Sequence, residues 1–392
     1  MTAETALRFE ALEAQAQKLM SVFTKAGHEA VAPSVIQPAD VFLDAIGEAL
    51  RARTYVFTDP DGAELCLRPD LTLPTCRLHV ARHADPAIKA RYCYNGSAFR
   101  FQPQGADEAH PSEFRQAGIE RFGESERETA EAAAITLIIQ ALRSAGLDDW
   151  TMRIGDHGMF RSVLTAAGVP ERWRRRLADA FWAPERFHAE LRQLTRAPEA
   201  TARKLPRELL NALKTGDTEA SEAAVGAYLD AHSIELTGTR TLVEMTSHLI
   251  DVARDIDAAP LPAAAASLIE SYVAVSGPAR ACGETIAGLL KGAGVSAGPA
   301  LDIYDKRLAQ LANAGLDLSR VTFAAEFGRN LEYYTGLVFE VISPLFGPAS
   351  PIAGGGRYDN LLRSAGAAID VPAVGGAIHT ERLLKAVKEA RA

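Results

Sequence analysis

Between Phe327 and Glu340 the chain reads FGRNLEYYTGLVFE, which sets a guanidinium (Arg329), a carboxylate (Glu332) and two phenols (Tyr333 and Tyr334) before Thr335, Leu337, Val338 and Phe339. The second half has the β-branched and aromatic composition of a buried strand. Polar groups at the lip of such a strand can offer a cation, an anion and hydroxyls to a ligand; equally, tyrosines there can be core and rim residues and the charges an internal ion pair. The chain contains no Walker-type phosphate loop, no H-E-x-x-H and no G-x-S-x-G. AGGGRYD lacks the strand, spacing and downstream acid of a dinucleotide fingerprint, so its glycines serve close backbone packing or a tight turn. Cys66, Cys76, Cys93 and Cys282 form no C-x-x-C pair and have no His at metal-ligand spacing; they read as reduced, packed thiols, with no metal implied.

The elements that must position these groups fall into three regions. Leu7, Leu12, Leu19, Met20 and Phe23 recur at helical spacing over the first 27 residues, and AGHEAVAPSVI then starts an extended segment. RTYVFTD, ELCLRPD, RYCYNGSAFRF and EFRQAGIERFG follow as short strands, the last two an antiparallel pair joined by the long loop QPQGADEAHPS. From Glu124 to about Ala314 the chain is rich in Ala, Leu, Glu and Arg and reads as helical, broken into short helices by Pro170, Pro184, Pro198, Pro206, Pro260 and Pro262. Strands return in SRVTFAAEFG, with Val321, Phe323, Ala325 and Phe327 on one face, and in TGLVFEVIS; a glycine-rich turn, AGGGRYDNLL, and a strand-to-helix ending complete the chain. The expected fold class is α+β: one antiparallel sheet flanked by helices, with core residues 1–160 and 315–392 interrupted by a mostly helical insertion, 161–314.

Composition narrows the function. With 392 residues, 47% hydrophobic and 23% charged, the chain can bury a large core and an additional domain. A net charge of -8 repels a polyphosphate backbone, which argues against a nucleic-acid partner. The start, MTAETALRFEALEAQAQKLM, is acidic where a signal peptide is basic, and no stretch reaches the roughly 18 apolar residues of a membrane span, so a cytoplasmic protein is expected.

LRPDLTLPTCR, GSAFRFQPQ with EFRQAGIERFG, GRNLEYYTGLVFE, GGGRYD and AVGGAIHTERLL occur in the order of the motifs of the histidyl-tRNA synthetase catalytic core, a class II synthetase, which the chain resembles over about half its length. The resemblance implies a histidine pocket in which Asp70, Thr72 and Gln116 hold the α-ammonium, Glu120 and Tyr334 face the imidazole with Tyr333 beside them, and Arg329 reaches the carboxylate. The chemistry agrees. A zwitterion needs an anion at its ammonium and a cation at its carboxylate, each charge-assisted hydrogen bond contributing roughly 1.5–3 kcal/mol. An imidazole has two nitrogens to satisfy, and a carboxylate with a phenol does so. On the bland alternative Asp70 is a turn residue after Pro69 and Glu120 with Arg329 an ion pair.

The departures from the synthetase matter as much. Its basic, phosphate-gripping loop is here FQPQGADEAHPSEF, with Asp107, Glu108 and Glu113 and no Arg or Lys, and Gln102 stands where the acid after the motif arginine is expected. Loss of two phosphate contacts costs roughly 3–6 kcal/mol. His379 in HTER replaces a glycine and would crowd a nucleotide, unless it is a surface or capping residue. Arg100 and Arg382, the two class II arginines, remain, so Arg100, Gln102 and Arg382 read as a vestigial nucleotide site. Ten residues follow Arg382, too few for an anticodon-binding domain. This combination resembles the ATP phosphoribosyltransferase regulatory subunit family. The resemblance implies a subunit not catalytic alone and without a cofactor, a homodimer through the synthetase-like core, a hetero-octamer with the short-form catalytic subunit, and feedback by histidine. A histidine-activating enzyme without an anticodon domain is the competing expectation.

Overall fold

The computed structural model describes residues 5–45, 48–103, 105–106, 110–181, 183–196, 206–234, 241–255, 258–328 and 333–390. The chain forms two compact units, Met1–Ala166 with Glu270–Ala392, and Ala167–Ile269.

The larger unit is built on nine strands: β1 (Glu29–Ala30), β5 (Ala90–Phe99), β6 (Glu113–Phe122), β7 (Thr151–Asp156), β8 (Ser276–Pro278), β9 (Val321–Ala324), β10 (Leu337–Ile342), β11 (Ala353–Arg357) and β12 (Ala373–His379). Their spatial order is β1-β5-β6-β12-β11-β10-β7-β9-β8. Neighbours are antiparallel except the β1–β5 and β7–β9 pairs, so the sheet is mostly rather than purely antiparallel. The expected β5–β6 hairpin is present, in register from Ala90 opposite Phe122 to Phe99 opposite Glu113. β9 and β10, close in sequence, are not neighbours: β7, TMRIGD, lies between them, so the stretch RIGDHGMF opens as a central strand and only then becomes the helix His157–Ala166. Its alternation is too short to stand out among helix-forming neighbours.

The glycines of AGGGRYD lie in a strand, and the turn comes only after it, at Asp359 and Asn360. Ala353–Arg357 is wholly buried and pairs with β10 on one side and β12 on the other. A Cβ on Gly355 would stand 2.1 Å from the Gly375 carbonyl oxygen, so the glycines serve close packing inside the sheet. RTYVFTD and ELCLRPD supply β3 (Val56–Thr58) and β4 (Glu64–Leu67), which with β2 (Ile36–Pro38) form a separate three-stranded sheet in the order β2-β4-β3.

Helices cover the sheet. Ala6–Lys25 starts at Thr5, whose hydroxyl accepts from the Arg8 amide, and buries Leu12, Gln15, Ala16, Leu19 and Phe23. Leu7, expected on that face, is 80% exposed because the buried stripe starts more than a turn later. Arg127–Ala145 and Ala300–Asn313 are joined by buried charge: Arg307 donates to Glu131 at 2.6 Å and to Asp156 at 2.5 Å, and Arg357 donates to Glu131 and Asp359. This network ties two helices to β7 and β11.

The smaller unit is helical, including Glu171–Ala180, Pro184–Leu194, Arg207–Lys214, Thr218–Ala231 and Leu242–Asp255. Pro170 and Pro206 stand immediately before helices and Pro184 opens one, where a missing amide hydrogen costs no intrahelical bond. Its core gathers Leu209, Leu213, Val225, Ile250 and Ala253. Asp255 accepts from Arg172 at 2.7 Å and from the Trp173 indole at 2.6 Å. Among the described residues no helix is long and apolar enough to cross a membrane.

Candidate functional site

Five of the candidate binding residues converge under the β6 end of the large sheet. Glu120, on β6, is 0% exposed, and its two oxygens accept from different phenols: Oε1 from Tyr94 of β5 at 2.9 Å, and Oε2 from Tyr358, just past β11. The Thr72 hydroxyl faces the same carboxylate from the start of the helix Thr72–Arg82. Asp70 precedes that helix, buried; it accepts from the Leu73 amide at 3.3 Å and from the Tyr333 hydroxyl at 3.4 Å. Tyr333 packs on Tyr334 with ring centroids 4.8 Å apart, and both pack on Tyr358. Asp70, Tyr333, Tyr334, Tyr358, Glu120 and Tyr94 thus form one unbroken chain of contacts.

The backbone leaves room for this cluster. Gly375 of β12 stands opposite Glu120, and a Cβ there would lie 1.7 Å from Glu120 Oε2. Gly118 is opposite Tyr94, and its Cβ would meet the Tyr94 hydroxyl at 2.6 Å. Side chains on directly opposed strand residues share a face, so bare glycine is what admits the carboxylate and the phenol.

Burial sets the electrostatics. Desolvation pushes the Glu120 carboxyl from its ordinary 4.5 up to about 8, against the opposing pull of the three hydroxyls, with the nearby Asp70 charge pushing the same way. Asp70 is also raised, first by burial, while Arg100 and the Leu73 amide pull it back. Tyr94 and Tyr358 are raised by burial and by Glu120, so both remain hydroxyl donors.

Beside this cluster a cleft of about 590 Å³ opens, lined by Arg53, Arg100, Gln102, Phe114, Gln116, Arg153, Glu340, His379 and Arg382 among others. Gln116 is buried in its wall, and its Oε1 has no hydrogen-bond partner among the described residues. Arg100 donates to the Pro69 carbonyl at 2.9 Å and lies over the Phe114 ring; Arg382 donates to the Pro351 carbonyl at 2.9 Å. Gln102 accepts from Arg53 and donates to the Pro111 carbonyl at 3.1 Å. The His379 ring stacks on Phe114 with centroids 4.7 Å apart, placing it in the cleft wall at the last residue of β12. Arg153 is paired to Glu340 at 2.9 Å.

The structure therefore separates the candidate residues into two places. Asp70, Thr72, Glu120, Tyr333 and Tyr334 make the buried cluster; Arg100, Gln102 and Arg382 line the cleft, and Gln116 lines it too. Arg329 and Glu332 lie outside the described residues, as do Asp107 and Glu108 of the acidic loop. Sequence reasoning missed Tyr94, Tyr358, Arg53 and Arg153. Tyr358 sits inside GGGRYD and Tyr94 in the RYCYNG alternation, so both were present in motifs, but nothing local says that either reaches Glu120.

The nine-stranded, mostly antiparallel sheet flanked by helices is that of a class II synthetase-like protein. A family model described as histidyl-tRNA synthetase matches residues 6–259 and 248–383. Two solved structures agree in fold: one titled ATP phosphoribosyltransferase regulatory subunit/histidyl-tRNA synthetase from Bacillus halodurans, with TM-score 0.65 and 21% identity over 99% of this chain and 82% of that one, and histidyl-tRNA synthetase from Nostoc, with TM-score 0.60 and 17% identity over 100% of this chain and 76% of that one. Curated relatives named ATP phosphoribosyltransferase regulatory subunit are similar along their whole length: 36% identity for Agrobacterium fabrum, over 95% of this chain and 96% of the relative, and 37% for Allorhizobium ampelinum, over 93% and 95%. The chain belongs to the family of ATP phosphoribosyltransferase regulatory subunits, the non-catalytic subunits of that histidine-biosynthetic enzyme.

Proposed function

We propose that the protein senses histidine in the buried cluster and conveys it, as a regulatory subunit, to a short-form catalytic ATP phosphoribosyltransferase. In this reading Asp70, Thr72 and Gln116 hold the ammonium, Glu120 and Tyr334 the imidazole with Tyr333 beside them, and Arg329 the carboxylate. The observation that carries it is the joining of two buried carboxylates, Asp70 and Glu120, through a continuous set of tyrosines. Carboxylates removed from water need cations or donors around them, and histidine brings an ammonium and a ring with N–H groups to that place. Gln116 stands in the wall of the adjoining cleft, and in this reading its Oε1, unpartnered among the described residues, accepts from the ammonium where cleft and cluster meet.

The proposal extends to the assembly: a homodimer through the synthetase-like core, joined to the catalytic subunit in a hetero-octamer, in the cytoplasm, with no nucleic acid, membrane, metal or cofactor required. Feedback follows where histidine binds two states of that complex unequally. Arg100, Gln102 and Arg382 form a vestigial nucleotide site in this account, supported by His379 lying on Phe114 and by Gln102 being held by Arg53. The test mixes the protein with a short-form catalytic subunit and measures turnover with and without histidine. The expected result is a rate that depends on this subunit and falls with histidine; no complex and no change in rate would overturn it.

One observation favours a second reading, an amino-acid-activating enzyme: Arg100 and Arg382 both line a cleft large enough for a nucleotide. Histidine-dependent exchange of pyrophosphate into ATP by the pure chain would establish it, and its absence removes it.

A further inference from the structure

The groups facing Glu120 from each packed element are the Tyr94 hydroxyl on β5, the Tyr358 hydroxyl after β11, the Thr72 hydroxyl and Cys76 thiol of the helix Thr72–Arg82, and the Asp70 carboxylate before that helix. Strand β12 contributes only the bare backbone of Gly375. Within this set the other group able to carry charge near neutrality is a second carboxylate. A ligand that brought one positive charge, at Asp70, would leave Glu120 either ionised in a dry site beside hydroxyls alone or protonated, with its O–H aimed at a bare ring nitrogen and its uncharged carbonyl oxygen the weaker acceptor for a ring N–H.

On the histidine-site reading above, we infer that the pocket binds histidine with its ring as the imidazolium paired to an ionised Glu120, so that ring and carboxylate together hold one proton in the complex. The phenols favour this arrangement geometrically. Both donate to the carboxylate, and a carboxylate accepting several donors is stabilised in its charged form once a cation adjoins it. Tyr94 and Tyr358 are therefore positioning residues, fixing one oxygen each, and the carboxylate keeps further lone pairs with which to accept from a ring N–H. The second ring nitrogen, also an N–H in the imidazolium, needs an acceptor, which the Tyr334 hydroxyl oxygen can provide.

The proton needs no outside source. In the free protein burial keeps Glu120 largely protonated near neutral pH, its carboxyl titrating at about 8. The free ring, with an ordinary value of about 6.5, is largely neutral there. On binding, the Glu120 O–H bond breaks and a ring N–H bond forms, with no exchange with solvent. Below about pH 6.5 the free partners carry two protons, and one must leave. Above about pH 8 they carry none, and one must be taken up. Affinity is thus highest in a neutral window and falls by up to about tenfold per pH unit on either side.

The decisive measurement is the nitrogen NMR spectrum of ring-labelled histidine bound to the full-length protein at pH 7.5. Two proton-bearing ring nitrogens are expected. One proton-bearing and one bare nitrogen would overturn the inference while leaving the pocket intact; no bound signal would instead remove the histidine-site reading on which it rests. Calorimetry at pH 5.5 in buffers of different ionisation heat gives the count: about one proton released supports a free Glu120 that arrives protonated and gives up its proton within the site, and none released overturns that internal transfer, leaving the ring-nitrogen spectrum to decide the pairing. Tyr358→Phe separates positioning from packing. It should shift the pH profile of histidine affinity with little loss of folding stability, and an unchanged profile would deny Tyr358 that role.

Discussion

Glu120→Gln is the sharpest test of the pocket's electrostatics, and it needs no ligand. The wild-type carboxyl titrates at about 8 in the folded protein against an ordinary 4.5. Because the folded value is the higher one, the folded state binds more protons than the unfolded chain between these limits. Its contribution to stability is fully present below about pH 4.5 and is lost as pH rises through about 8. Integrating that shift from pH 5 to pH 8 gives a loss on the order of 3–4 kcal/mol. Glutamine has the same shape but no charge to desolvate. Whatever it costs in altered hydrogen bonds with Tyr94 and Tyr358 is the same at every pH. The variant should therefore gain on the wild type across this range by several degrees of Tm, on the order of 5–10 °C for a unit of this size. Parallel thermal unfolding of both proteins at pH 5, 6, 7 and 8 measures it. A difference that stays constant with pH would refute the claim that Glu120 is buried without a compensating cation among the described residues.

Two further outcomes follow from packing and charge. Gly375→Ala puts a methyl 1.7 Å from Glu120 Oε2 and 2.6 Å from the Ile119 carbonyl oxygen, so it should displace the carboxylate and weaken histidine binding by at least about tenfold in calorimetry; unchanged affinity would contradict the placement of Glu120. Arg307→Met leaves Glu131 and Asp156 buried without their shared cation and should lower unfolding stability by about 3–5 kcal/mol, read as a shift in denaturant midpoint.

Much of the architecture was legible because it is written locally. The β5–β6 pair shows as two aromatic-rich stretches around a Pro- and Gly-bearing loop, and the buried face of β9 as alternation at Val321 and Phe323. β7 was not legible, since six residues of strand pattern sit between long helix-forming stretches, and its place between β10 and β9 is a matter of long-range pairing. The turn read from AGGGRYDNLL misled for a physical reason: glycine is a turn former by propensity, but at Gly355 and Gly356 it also lets neighbouring strands approach where any side chain would collide.

The candidate site divides along the same line. Residue types, their order along the chain and the resemblance they carry were enough to name Asp70, Glu120 and Tyr334 as a set and to separate them from Arg100 and Arg382. That Glu120 shares one oxygen with Tyr94 and the other with Tyr358, residues 26 and 238 positions away, emerged only once β5, β6, β11 and β12 were folded together. Chemical identity belongs to a side chain wherever it sits, and so it can be read along the chain. Protonation and hydrogen-bond partnership depend on which strands exclude water around it, and that is settled by packing between segments that the sequence keeps far apart.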